Sequence, residues 1–133
     1  MLNTARSLRG MVTSPHHLAS QAGLDVLREG GTAIEAAVAA ASTIAVVYPQ
    51  MNSIGGDGFW LIAEPGKDPI SIDACGRAGS AASVGLYRSL GMTAVPQRGP
   101  LAANTVAGAI SGWELALGIN QGWGGKLDRK SVV

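Results

Sequence analysis

Tyr48-Pro-Gln-Met-Asn-Ser-Ile-Gly-Gly-Asp-Gly-Phe-Trp-Leu-Ile62 joins the end of an alanine-rich segment to a glycine turn, and the turn to an apolar run. Gly55, Gly56 and Gly58 carry no Cβ, so the backbone there is expected to take positive φ and to lie close against another chain or a ligand. Phe59-Trp-Leu-Ile62 has the length and character of a buried, central strand. On that reading a β-branched residue at Gly56 would be strongly disfavoured. A glycine turn alone does no more than reverse a chain, so its meaning depends on what flanks it.

Upstream, residues 1–9 are polar and without period, a loose lead-in. Gly10 to Thr13 reads as a short strand. Ser14-Pro15 is a helix opening, with serine as N-cap and proline in the first turn. Leu18, Ala19, Ala22, Val26 and Leu27 follow at helical spacing as a buried stripe, and Gly30-Gly31 ends the helix. Thr32-Ala-Ile-Glu35 is a capping box that opens a second helix over about 33–47, alanine on nearly every face and so suited to close packing on several sides. Pro49 stops it. Downstream of the turn, strands are expected at about 58–64 and 70–75, joined around Glu64-Pro-Gly-Lys-Asp-Pro69 as a hairpin. A short helix over 84–90 and a third long helix over about 107–119 follow, the latter presenting Ile110, Trp113 and Leu117 on one side. Residues 121–133 read as a truncated or irregular C-terminal end.

Composition narrows the function classes. Charged residues make up 14% of the 133, against roughly 25% in an ordinary soluble domain. Hydrophobic residues are 47%. So few charges suggest a surface meant to be covered by further polypeptide. A net charge of +1 gives no reason to expect nucleic acid or an anionic membrane as partner. The apolar run from Ala33 to Tyr48 contains Glu35 and is too short to span a bilayer. The first nine residues lack the apolar core of a signal peptide, which makes the cytoplasm the default location. A single cysteine, Cys75, excludes an internal disulfide framework and reads as a buried small hydrophobe.

Arg77 is the best candidate for a functional side chain. It follows a strand and a glycine, and a guanidinium at a strand end can hold a carboxylate through two parallel hydrogen bonds. His16 and His17 are neighbours and would diverge on a helix, so no catalysis is assigned to either; a cap or surface role is expected. Asp57 could bind a backbone N–H or a cation, but no second acid stands at calcium-loop spacing, and no metal or cofactor is expected. The turn lacks the Gly-Lys-Ser/Thr of a phosphate loop and precedes a strand rather than following one, unlike a dinucleotide fingerprint. No serine sits in a Gly-x-Ser-x-Gly elbow.

Taken in order, Gly10-Met-Val-Thr-Ser-Pro-His-His-Leu-Ala-Ser20, Glu29-Gly-Gly-Thr-Ala-Ile-Glu-Ala-Ala-Val-Ala-Ala-Ala41, the glycine turn, Ile72-Asp-Ala-Cys-Gly-Arg77 and Gly99-Pro-Leu-Ala102 resemble the beginning of a γ-glutamyltranspeptidase (glutathione hydrolase), a self-processing N-terminal-nucleophile hydrolase. The resemblance covers roughly residues 10–118, and residues 10–120 read as the N-terminal part of its large subunit. It implies an α/β (α+β) chain, part of an αββα sandwich that is incomplete here. It also implies transfer of a γ-glutamyl group, from glutathione or a similar small molecule, to water or an amino acid. The attacking threonine would lie in the small subunit, so no catalytic residue is expected in this chain, and the partners would be the rest of the large subunit and the small subunit. Asp73 and Arg77 match the family's aspartate and carboxylate-gripping arginine, while Ala78-Gly79-Ser80 departs from the Glu-Ala-Pro that follows. That departure leaves a cephalosporin acylase-like donor, or a non-catalytic remnant, as the alternatives.

Overall fold

The computed structural model describes residues 4–125, so that of the irregular end expected over 121–133, residues 126–133 lie outside the described residues. Four helices and one hairpin follow each other as α1 (His17–Arg28), α2 (Ala33–Val47), β1 (Gly58–Ile62), β2 (Ile70–Ala74), α3 (Val84–Ser89) and α4 (Ala109–Gln121). The mixed α/β content agrees with the expected fold class. Residues 10–13, expected as a strand, are irregular here, although Val12 packs against the core.

Helix α1 starts later than Ser14-Pro15 suggests. His16 takes the extended cap conformation and its Nδ1 accepts the Leu18 N–H at 3.3 Å. Ser14 instead donates to the His16 carbonyl at 2.7 Å and meets the Ser20 hydroxyl at 2.8 Å. At the other end the Gly30 N–H donates to Leu27 and the Gly31 N–H to Val26, the paired closure that Gly30 permits at φ +88. Ala19, Gly23 and Val26 are buried, but Leu18 of the expected stripe faces outward.

The capping box on α2 forms as read: Thr32 Oγ1 accepts the Glu35 N–H at 3.2 Å, and Glu35 Oε2 accepts the Thr32 N–H at 2.6 Å. Glu35 is fully buried. Its other oxygen accepts from Asn120 Nδ2 at 2.9 Å, and the Thr32 hydroxyl donates to Asn120 Oδ1. This polar triad ties the start of α2 to the end of α4 across the core. Such a buried carboxylate is tolerable only when its oxygens are met by donors.

The hairpin is antiparallel, with Trp60 opposite Ile72 and Ile62 opposite Ile70. The strand expected to be covered on both faces in a complete fold shows one covered face in this chain, as expected of the fragment alone. Ile62 and Ile72 are buried, whereas Phe59 and Leu61 are 71% and 77% exposed. Two groups form the core: Val26, Ala36, Val38, Ala39 and Trp113 in one, and Ile34, Ile62, Ile72, Ala74 and Ala116 in the other. Trp60 packs against both. On α4 the buried residues are Ala109, Gly112, Trp113, Ala116 and Asn120, so Ile110 is turned away from the face expected for it.

The glycine turn carries a correction. None of Gly55, Gly56 and Gly58 has positive φ, and a Cβ on Gly55 or Gly56 would meet nothing nearer than 3.6 Å. Gly58 is the first residue of β1. The glycines that cannot be replaced lie elsewhere. A Cβ on Gly76 would overlap the Val106 carbonyl, and one on Gly108 would overlap the carbonyl of Ala74.

Two outcomes are expected. Gly76→Ala should destabilise the protein carrying this segment by about 3 kcal/mol or more, through backbone displacement, while Gly56→Ala should stay within about 0.5 kcal/mol; thermal unfolding midpoints distinguish them, and equal effects would contradict the geometry. The isolated 133-residue chain, with Phe59, Leu61 and Val46 open to solvent, should self-associate or bind a hydrophobic dye, and a monomeric, cooperative melt without dye binding would refute this.

Candidate functional site

Arg77 lies three residues beyond β2 and is exposed, as expected for a residue projecting from a strand end. Its guanidinium makes no hydrogen bond or ion pair among the described residues, where the ion pairs are Arg28–Asp25 and Lys67–Glu64. The backbone around it is held much more firmly than the side chain. The Arg77 carbonyl accepts the Val106 N–H at 2.9 Å, Ala78 bridges to Thr105, and the Gly79 N–H donates to Asn104 at 2.9 Å. Just before it, the Gly76 N–H donates to Asp57 Oδ1 at 3.0 Å, and the Cys75 N–H donates to Asp73 Oδ1 at 3.0 Å.

The glycine turn and Arg77 are thus brought together, by a route the sequence did not disclose. The Gly56 carbonyl accepts the N–H groups of both Gly108 and Ala109 at 3.0 Å, which satisfies the cap residue and the first N–H of α4. Asp57, the next residue, reaches the end of β2. The turn therefore clamps two segments that flank the Arg77 backbone. Asp57 thus takes the first of the two roles open to it, accepting a backbone N–H.

Cys75 is exposed, not buried as its apolar neighbours suggested. Its side chain leaves the sheet after β2 has ended and meets acidic neighbours instead. The charge of Asp57 foremost pushes the Cys75 thiol above its ordinary range, with local desolvation, a hydrogen bond to Asp57 and the charge of Asp73 adding to it. At neutral pH the thiol is protonated and a poor nucleophile.

Beside the turn lies a cleft of about 350 Å³ bounded by Asn52, Ser53, Asp57, Phe59, Trp60 and Trp113. Arg77 is not among its lining residues. The rings of His16 and His17 stack, with centroids 4.6 Å apart. They can do so because His16 is the cap and not part of the helix, so the divergence expected of helical neighbours does not apply. Among the described residues no three His, Cys, Asp or Glu side chains are grouped as a metal site would require, and no helix is long and apolar enough to cross a membrane.

The gamma-glutamyltranspeptidase family profile matches residues 19–123. The chain is 61% identical over 115 residues to an oxamate amidohydrolase proenzyme of Klebsiella pneumoniae, covering 86% of this chain and 21% of that protein. It is 43% identical over 108 residues to a glutathione hydrolase-like proenzyme of Bacillus subtilis, covering 80% of this chain and 20% of that one. The crystal structure of Helicobacter pylori gamma-glutamyltranspeptidase superposes with a TM-score of 0.79 at 33% identity, over 88% of this chain and 34% of the other. The chain thus spans about a fifth of the length of these curated relatives.

The acidic surroundings of Cys75 set a pH-dependent expectation. A thiol held above its ordinary range yields less thiolate at any pH below that range, so alkylation of Cys75 should be slow at pH 8 and should accelerate at higher pH than for a free thiol. Asp57→Asn removes the leading charge and should shift the rate profile downward in pH. An alkylation profile of Cys75 that is unchanged in Asp57→Asn would contradict this assignment.

Proposed function

The chain belongs to the gamma-glutamyltranspeptidase family, and from that membership we propose that the whole protein is an N-terminal-nucleophile amidohydrolase whose small acyl donor bears a carboxylate held by Arg77. The observation that carries this reading is the placement of Arg77: an exposed guanidinium with no protein partner among the described residues, on backbone fixed from two sides. A planar fork matches a carboxylate through two parallel hydrogen bonds, which a lysine cannot reproduce.

In this proposal the attacking group is the threonine freed by self-cleavage, beyond these 133 residues. Its own α-amine, with a pKa near 8, is partly neutral at working pH and can take the hydroxyl proton. Attack on the amide carbonyl expels the amine and leaves an acyl-enzyme, which water or an amino acid then discharges. Arg77 takes no part in bond making. It orients the acyl group, so its contact is partly uniform binding and partly positioning of the carbonyl for attack. The remainder of the large subunit and the small subunit are the partners this requires.

Two donor classes fit, and they differ in where the carboxylate lies. In an oxamate-type amide it is attached directly to the scissile carbonyl, whereas in a γ-glutamyl amide such as glutathione it stands at the far end of the acyl chain. The 61% identity to the oxamate amidohydrolase proenzyme, and Ala78-Gly79-Ser80 in place of Glu-Ala-Pro, favour the oxamate-type donor. The matching Asp73 and Arg77 favour the γ-glutamyl reading, which stands second.

The test uses the complete, self-cleaved protein. Ammonia release from oxamate should exceed amine release from a γ-glutamyl anilide, and the reverse order would establish the second reading. Arg77→Ala should lower kcat/KM on the preferred donor by about 1.5–3 kcal/mol, as for loss of a charged hydrogen bond. Arg77→Lys should mainly raise KM. Acetamide and a 4-aminobutyryl anilide, which lack the carboxylate, serve as controls. If Arg77→Ala weakens activity on them equally, Arg77 does not read a carboxylate. The 133-residue chain alone should turn over neither donor.

A further inference from the structure

We propose that Asp57 is a positioning residue for Arg77, fixing the carboxylate-binding guanidinium by holding the backbone immediately before it. The inference rests on the reading of Arg77 as the carboxylate holder. Arg77 leaves the sheet after β2 ends at Ala74, so the strand ladder no longer constrains it. Bonds to other segments take over, the Gly79 N–H to the Asn104 carbonyl at 2.9 Å among them. Val106 N–H meets the Arg77 carbonyl at 2.9 Å, and Asp57 Oδ1 meets the Gly76 N–H at 3.0 Å. The Asp57 bond is charge-assisted and comes from across the hairpin: Asp57 immediately precedes β1, whose first residue pairs with Ala74 at the end of β2. Asp73 makes a similar bond to Cys75, but only two residues on, so it shapes the local turn without anchoring it to anything else.

The anchor itself is fixed. Asp57 follows Gly56, whose carbonyl receives two N–H groups from the start of α4, and it precedes Gly58, the first residue of β1. Its carboxylate is therefore delivered from a point tied to both the helix and the hairpin. Gly76 lies against the Val106 carbonyl so closely that no side chain fits there. Displacing Gly76 would carry Arg77 with it. A guanidinium that must meet a carboxylate through two bonds loses much of its value if shifted by a fraction of its reach.

The experiment is steady-state kinetics of the complete, self-cleaved protein carrying Asp57→Ala, Asp57→Asn, Asp57→Glu, Arg77→Ala, or Asp57→Ala with Arg77→Ala. Donors with and without the carboxylate are compared. Asp57→Ala should raise KM for the carboxylate-bearing donor about tenfold, within the roughly hundredfold cost of a misplacement near 1 Å, and leave the carboxylate-free donor unchanged. Asp57→Asn keeps an oxygen acceptor for the Gly76 N–H and should stay within about threefold of the parent, while Asp57→Glu, whose acceptor is displaced by one methylene, should not. In the Arg77→Ala background, Asp57→Ala should add nothing. If Asp57→Ala yields no self-cleaved protein, the contrast between Asn and Glu decides. Equal losses on both donor types, Asn behaving as Ala or Glu does, or losses that multiply with Arg77→Ala would each overturn the proposal. Should Arg77→Ala itself fail to discriminate between the donors, the carboxylate reading falls and this inference with it. Discrimination by Arg77→Ala with none by Asp57→Ala sinks the inference alone.

Discussion

The segment is organised around a place where backbone touches backbone. The end of β2 and the approach to α4 come together with no side chain between them, since a Cβ on Gly76 would overlap the Val106 carbonyl and one on Gly108 that of Ala74. One turn further along α4, a Cβ on Gly112 would come within 2.7 Å of the Ala74 Cβ. Glycine is the residue that permits such approach, at the cost of greater chain entropy on folding. Once the two stretches are this close, the other features become possible. Val106 can bond Arg77, the Gly56 carbonyl can receive the first N–H groups of α4, and Trp60 can reach both core groups.

A second constraint holds the opposite end of the same helix. Asn120, near the end of α4, is bonded to Thr32 and to the fully buried Glu35 at the start of α2. A buried polar group left without its partner costs about 1–3 kcal/mol, so these residues specify one position of α4 along α2 where apolar contacts alone would tolerate sliding. Small residues favour that sliding, because α2 offers alanine on most sides. With its start fixed by glycines and its end by the triad, α4 becomes a rigid bar across the back of the hairpin. The backbone that carries Arg77 pairs with residues 104–106, just ahead of that helix.

Much of this fold was legible in the sequence, and what was hidden is of one physical kind. The capping box at Thr32 and Glu35, the end of α1 at Gly30, the span of α2 and the hairpin all follow from bonds within a few residues, which local pattern encodes. Sequence neighbours also placed Arg77 just beyond a strand. Glu35 and Asn120 lie 85 residues apart in the chain, and no local pattern reports their bond. The glycines show the same division. Three in a cluster drew attention to residues 55–58, yet their φ is ordinary and Gly55 and Gly56 have room for a side chain, whereas Gly76 and Gly108 stand singly and are indispensable through contacts with distant backbone.

That distribution bears on how the work is divided in the proposed enzyme. If the nucleophile is supplied by chain outside these residues, this segment needs no reactive group. It needs a carboxylate-binding cation held at a fixed distance from a nucleophile on another element. Reactivity depends on the environment of one or two atoms, but distance depends on the stiffness of everything between them. The backbone on both sides of Arg77 is bonded to other segments, as that second need would require. Cys75, the single thiol of the chain, is exposed two residues before Arg77, and the charges of Asp57 and Asp73 push it above its ordinary range. The Asp57 carboxylate that accepts the Gly76 N–H is also the foremost cause of the rise in the Cys75 thiol pKa.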